Sequence, residues 1–238
     1  MKILAVIPAR YASSRFPGKP LADIAGEPMV WRVYQQAQKV NWTKLVVATD
    51  DERILQAVEA RGGLAMMTRA DHPSGSDRVG EVLSKLQAQG EDFDFVVNIQ
   101  GDEPFIQPEQ LEELKGALRL GGISSLMKKI EQKAMLEASQ VVKVVVNAKQ
   151  QALYFSRYPI PFFRGEENPL AAHTYYKHIG LYGYDAKLLP NLLALNPSAL
   201  ERAESLEQLR WLEAGYPIYM AETQYESHGI DYPEDLKR

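Results

Sequence analysis

The strongest constraint on this chain is an alternation along its first half. Short apolar runs are separated by segments whose apolar residues recur at helical spacing. Residues 2–7 hold the first run (Ile3, Leu4, Ala5, Val6, Ile7), and Leu45–Ala48, Leu64–Met67 and Phe93–Ile99 follow. Runs of this length are buried strands. Between them, Pro28–Lys39, Glu52–Ala60, Ser76–Gln89 and Pro108–Leu120 read as helices. Their ends carry matching signals. Thr49, Asp50 and Asp51 supply an N-cap for the second helix and Gly62 and Gly63 stop it, while Pro108 opens the fourth and Gly121 closes it. Strand followed by helix, repeated, dictates parallel neighbours joined by crossovers. The expected fold is therefore α/β, a mostly parallel sheet in a three-layer arrangement.

Beyond about residue 121 the texture changes. Val141–Val146, Ala152–Ser156 and Tyr175–Tyr184 read as strands, and Tyr158–Pro169 as an irregular proline-rich loop. Leu188–Gly215 reads as helix in two or three pieces, Pro217–Ala221 as a last strand and Pro233–Arg238 as a terminal helical turn. No linker, repeat or low-complexity stretch divides the chain. A length of 238 residues suits one domain with an inserted antiparallel portion. The net charge of −4 argues against a nucleic-acid partner, which needs a basic face. The chain has no cysteine, which excludes disulfides, thiolate catalysis and Cys-built zinc sites. No run approaches ~18 apolar residues, and the first is too short for a signal peptide, so a soluble, cytoplasmic protein without membrane contact is expected.

In an open parallel sheet, ligands bind beyond the carboxyl ends of the strands. The tract "PARYASSRFPGKP", residues 8–20, follows the first strand and crowds Arg10, Arg15 and Lys19 into one turn. It is not a Walker A loop, because Ser13 stands where the first Gly belongs and Pro20 follows Lys19. Its chemistry still suits polyphosphate: Arg clamps phosphate oxygens bidentately, Lys adds a point charge, and Ser13 and Ser14 add hydroxyl and N–H donors. The tract "NIQGDEP", 98–104, follows another buried strand, so Asp102 emerges at the same edge. A carboxylate facing a phosphate site suits Mg²⁺. His173 and His178, five apart in an expected strand, would point to opposite faces and share no ion.

Taken in order, "IPARYASSRFPGKPL", "ATDDERI", "TRADHPSGSDR", "NIQGDEP", "YFSRYPIP", "HIGLYGY", "ESLEQLRWLEAG" and "GIDYPED" resemble the 3-deoxy-manno-octulosonate cytidylyltransferases, or CMP-Kdo synthetases, from residue 3 to 237. The resemblance implies a Rossmann-like nucleotidyltransferase fold, transfer of CMP from CTP to the 2-hydroxyl of Kdo, Mg²⁺ as cofactor, and a homodimer serving lipopolysaccharide synthesis. It implies that residues 1–121 mainly bind CTP, that 122–222 bind sugar and form the dimer, and that 223–238 return to the metal. Arg10, Arg15 and Lys19 would hold the phosphates, with Ser74, Gly75 and Ser76 near cytosine and ribose and Gln100 beside nucleotide and sugar. Asp102 and Asp231 would bind Mg²⁺. Arg157 would pair with the sugar carboxylate, and His178, Tyr182, Glu207 and Gln208 with its hydroxyls. A related acid sugar such as 8-amino-Kdo is the alternative substrate. Two departures bear on the sugar and on the subunit contact: Lys177 where many members carry Arg, and "MLEASQVVKVV" without the common Asn-Pro pair.

Overall fold

In this computed structural model the described residues are 1–12, 16–165, 168–230 and 232–237, with the backbone alone at 237. The strands are β1 (Ile3–Ala9), β2 (Asp23–Ile24), β3 (Glu27–Pro28), β4 (Lys44–Thr49), β5 (Ala65–Met67), β6 (Phe95–Asn98), β7 (Ile123–Lys129), β8 (Lys143–Val146), β9 (Ala152–Ser156), β10 (Tyr176–Asp185) and β11 (Ile218–Glu222). The helices are α1 (Met29–Ala37), α2 (Glu52–Glu59), α3 (Gly75–Ala88), α4 (Pro108–Ala117), α5 (Lys133–Glu137), α6 (Pro169–Ala172), α7 (Leu189–Leu193), α8 (Ala199–Glu204) and α9 (Gln208–Glu213).

The main sheet runs β11-β7-β10-β6-β1-β4-β5. The pairs β1–β4, β1–β6, β4–β5 and β7–β11 are parallel, as the alternation requires. Strand β1 shows why its run is unbroken. Leu4 and Val6 face one core, with Val79, Val82, Leu83 and Leu86 of α3, Leu189 and Leu192 of α7, and Leu209 and Trp211 of α9. Ile3, Ala5, Ile7 and Ala9 face the other, with residues of α1, α2 and α4. A strand buried on both faces has no polar alternation to show.

Several expectations change. The expected antiparallel portion is inserted within the sheet itself: β10 runs inside the main sheet, antiparallel to β6 on one side and β7 on the other. The β8–β9 hairpin extends from the start of β10. Strand β7 was not expected at all. Helix α4 ends at Ala117 rather than 120, because Leu118 turns to extended backbone (φ −56, ψ 135) and is buried. Leu188–Gly215 forms three helical pieces, α7, α8 and α9, the last two parted where Ser205 sits in the left-handed region at φ 53. His173 precedes β10, so strand periodicity does not govern it; its exposed ring meets the Tyr175 ring edge-on.

Candidate active site

The parallel strands β1 and β6 leave the sheet side by side, with Ile99 N–H donating to the Val6 carbonyl at 2.9 Å. Two residues later the chains nearly touch. A Cβ at Gly101 would lie 2.4 Å from the Pro8 carbonyl oxygen, so only glycine lets Asp102 arrive beside the loop after β1. That loop closes on itself where Gly18 N–H donates to the Tyr11 carbonyl at 3.0 Å. Gly18 has φ 72 and leads into a single 3₁₀ turn, Lys19–Leu21. The turn points Lys19 inward: its ammonium bonds Asp102 Oδ2 at 2.7 Å and the Ile230 carbonyl at 2.9 Å. Ile230 N–H in turn donates to the Asp102 carbonyl at 2.9 Å.

Lys19, Gly101 and Asp102 line a cavity of about 240 Å³ with Arg10, His72, Ser74, Gly75, Arg78 and Gln100. One wall is the start of α3. Ser74 caps the helix, its Oγ accepting from Asp77 N–H at 3.2 Å. The free N–H groups and dipole of a helix N-terminus favour anions. The floor is a buried ion pair: Arg78 Nη2 donates to Asp50 Oδ2 at 3.0 Å, with side chains 4 % and 10 % exposed. The other Asp50 oxygen accepts Tyr11 N–H at 3.2 Å, and the Arg53 guanidinium lies 3.6 Å above the Tyr11 ring. The loop after β1 is thus tied to the floor beneath it.

A second polar cluster abuts the cavity. Gln100 Nε2 donates to the Gly180 carbonyl at 2.8 Å, where the register of β10 shifts between Ile179 and Tyr182. Buried Ser76 donates to Glu207 Oε2 at 3.1 Å and meets Tyr184 Oη at 3.4 Å. Burial pushes the Glu207 carboxyl above its usual range, opposed by Arg210 and the two serines. His178 lies 5.0 Å from the Phe155 ring and 5.3 Å from the Tyr182 ring, and its Nε2 is 2.9 Å from Ser125 Oγ. Burial lowers its pKa to about 3, so it is a neutral imidazole. Tyr182 and Tyr184 both meet Trp211 edge-on, and Gln208 is buried at the start of α9. Asn98 Oδ1 and Trp211 Nε1, both buried, have no hydrogen-bond partner among the described residues.

The structure therefore brings Arg10, Lys19, Ser74, Gly75, Gln100 and Asp102 to one cavity, and Ser76, His178, Tyr182, Glu207 and Gln208 to the adjoining wall. Arg157 stands apart from the cavity. Its guanidinium donates to the carbonyls of Glu204 at 2.7 Å, Ser139 at 3.2 Å and Ser205 at 3.3 Å. Arg15 and Asp231, with Ser13 and Ser14, lie outside the described residues. Among the described residues no three His, Asp or Glu side chains cluster as a metal site. Sequence reasoning missed Arg78 as a lining residue and allowed His72 no more than a rim position. Arg78 carried a signal, since it stands one helical turn after Ser74 in a tract already singled out.

The cytidylyltransferase family model matches residues 4–223. The chain belongs to the cytidylyltransferases. Within that family it is 50 % identical to a 3-deoxy-manno-octulosonate cytidylyltransferase of Cytophaga hutchinsonii and 52 % identical to one of Bacteroides thetaiotaomicron, each over 100 % of this chain and 96 % of the relative. Its fold matches that of a CMP:2-keto-3-deoxy-manno-octonic acid synthetase complexed with CTP, with a TM-score of 0.92, 45 % identity, and coverage of 100 % of this chain and 96 % of the other. A glucose-1-phosphate thymidylyltransferase of Bacillus anthracis shares the architecture alone, with a TM-score of 0.63 and 15 % identity over 99 % of this chain and 92 % of the other.

Proposed function

We propose that this cytidylyltransferase transfers CMP from CTP to the 2-hydroxyl of 3-deoxy-manno-octulosonate, giving CMP-Kdo and pyrophosphate. The observation that carries this reading is the meeting of Lys19, Asp102 and Ile230 at the rim of one cavity, in a chain whose full-length relatives bear that enzyme's name. The sugar 2-hydroxyl attacks the α-phosphorus and pyrophosphate leaves on the opposite side. Such chemistry is governed by positioning and by charge stabilisation. Arg10, Lys19 and the α3 N-terminus supply positive charge where the triphosphate lies, with Arg15 completing the set. Gln100 orients nucleotide and sugar together, because its amide also holds the strand that carries the sugar wall.

The donors around Asp102 fit a hard divalent cation. A half-exposed carboxylate and the Ile230 carbonyl already share one positive group, the Lys19 ammonium. Asp231 follows Ile230 directly, so Asp102 and Asp231 would hold Mg²⁺. Bound there, Mg²⁺ would neutralise phosphate charge and acidify the attacking hydroxyl. On the sugar side, Arg157 spends its hydrogen bonds on neutral carbonyls, which leaves its charge for the carboxylate of an acid sugar. We place the reaction in the cytoplasm, in a homodimer that feeds lipopolysaccharide assembly. No described helix is long and apolar enough to cross a membrane.

Pyrophosphate release with CTP and Kdo or 8-amino-Kdo, with and without Mg²⁺, tests the reading. Turnover is expected with Kdo and Mg²⁺, and Lys19→Ala should lower kcat roughly 10²-fold, the loss of one preorganised donor. No release with any acid sugar, or normal turnover in that variant, would overturn it.

A further inference from the structure

Strands β7 and β10 bring like charges face to face. Lys128 and Lys177 stand directly opposite in the antiparallel ladder, and Lys143 of β8 stands opposite Lys177 on its other side. Opposed like charges destabilise a sheet. Lys177 is only 8 % exposed, so water screens it poorly. Lys143 is satisfied within its own hairpin, donating to the carbonyls of Ala138 at 3.0 Å, Val141 at 2.9 Å and Arg157. Among the described residues, one carboxylate pairs with both Lys128 and Lys177 from outside the sheet, with the Glu103 carboxyl near enough to Lys177 to feel its charge. Glu226 accepts from Lys177 and lies 3.7 Å from Lys128, which also donates to the Gln224 carbonyl.

Glu226 belongs to the segment that runs from the end of β11 to the nucleotide edge. Thr223 N–H donates to the Met127 carbonyl at 2.9 Å, Ser227 Oγ to Glu103 Oε2 at 2.8 Å, and Ile230 N–H to the Asp102 carbonyl at 2.9 Å. The Ile230 carbonyl then accepts from Lys19. Among the described residues, and apart from those of Lys128 and Lys177, the bonds that hold this segment come from a few backbone groups, one hydroxyl and Lys19.

We propose that Lys128, Lys177 and Glu226 form a charge clamp that positions residues 223–230, and through Ile230 sets Lys19 and Asp102 for nucleotidyl transfer. They are positioning residues, since they touch the sheet and the tail and not the reacting atoms. The clamp's effect on rate rests on the transferase reading above; its hold on the tail does not.

The test is Glu226→Gln in the full chain, which keeps the side chain's size and removes its charge. Amide hydrogen exchange over 223–230 should speed at least about tenfold while β1 and β6 stay protected. With CTP and Kdo, kcat should fall roughly 10- to 100-fold and the Mg²⁺ concentration for half-maximal rate should rise, as misplacement of a reacting group predicts. Lys177→Arg, made with Glu226 intact, keeps the pair and should leave both readouts near the parent's. Exchange over 223–230 at the parent's rate, or faster exchange with the parent's kcat and Mg²⁺ midpoint, would overturn the clamp. Should Glu226→Gln not fold, Lys128→Met leaves the Lys177–Glu226 contact and carries the same readouts, with smaller shifts expected and unshifted values fatal. A parent that releases no pyrophosphate would refute the transferase reading, and the exchange data would still judge the clamp.

Discussion

Arg78 shows how much one buried side chain can decide. Its guanidinium neutralises Asp50 beneath the cavity, and Asp50 in turn holds the amide of Tyr11 at the root of the loop after β1. Removing one member of a buried pair strands the other charge, at a cost of about 3–5 kcal/mol. Arg78→Ala should lose about that much in urea unfolding, and the double variant Asp50→Asn with Arg78→Met should recover most of it. If the double variant is as unstable as the single, the pair is not what secures the floor. His178 makes a different claim. Its imidazole titrates near 6.5 when free and about 3 when folded, because burial disfavours the charged ring. Between those values the unfolded chain binds a proton that the folded one does not. Stability from this group is therefore complete above about pH 6.5 and drains away as pH falls toward 3. Glu103 acts with the opposite sign: burial lifts its carboxyl from 4.5 to about 7, so its contribution fades as pH rises through that range. The clean comparison is parent against His178→Gln, in which Glu103 is common to both. The stability gap between them should narrow from pH 7 to pH 5; a constant gap in urea midpoints would rule out the titration.

At the scale of elements, the decisive contact is the exit of β6 against β1. An added methyl at Gly101 meets backbone, not a side chain that can swing away. Gly101→Ala should cost about 2–4 kcal/mol and push Asp102 from Lys19, with a matching fall in kcat. A melting temperature at the parent's value would show that the two exits part without cost. The elements that frame this contact were legible in sequence, because strands buried on both faces leave unbroken apolar runs and the helices between them carry caps. Asp51 does cap α2, accepting from Arg53 N–H at 3.0 Å. Strand β7 was not legible for an equally physical reason. Its sequence, ISSLMKK, puts two serines in the middle of the sheet. Ser124 donates to the Ala117 carbonyl at 2.8 Å and Ser125 to the Leu181 carbonyl at 2.7 Å, so neighbours supply the partners that make a polar pair tolerable there. Nothing local to 123–129 announces those partners.

Across the whole molecule, the site is made of segments remote in the chain. Lys19 reaches Asp102 across 83 residues and Ile230 across 211. Sequence reasoning could place the first two at one sheet edge, because each follows a buried strand. Strand and helix patterns could not place the tail, whose return to the site came from family likeness alone and whose path is held by ion pairs to β7 and β10. Nor could periodicity find the sugar wall: His178, Tyr182 and Glu207 came from family likeness alone, and their convergence depends on an antiparallel strand in a parallel sheet. That strand carries one further consequence. Gly180 presents its carbonyl to Gln100 at the register shift, so the cavity and the polar cluster beside it, which we propose for nucleotide and acceptor, share a joint one amide wide. On the proposed reading, anyone retargeting the enzyme to a new acceptor would do well to recut the cluster at His178 or Glu207 and leave position 180 alone. A sideways slip there would travel straight into the grip on the donor.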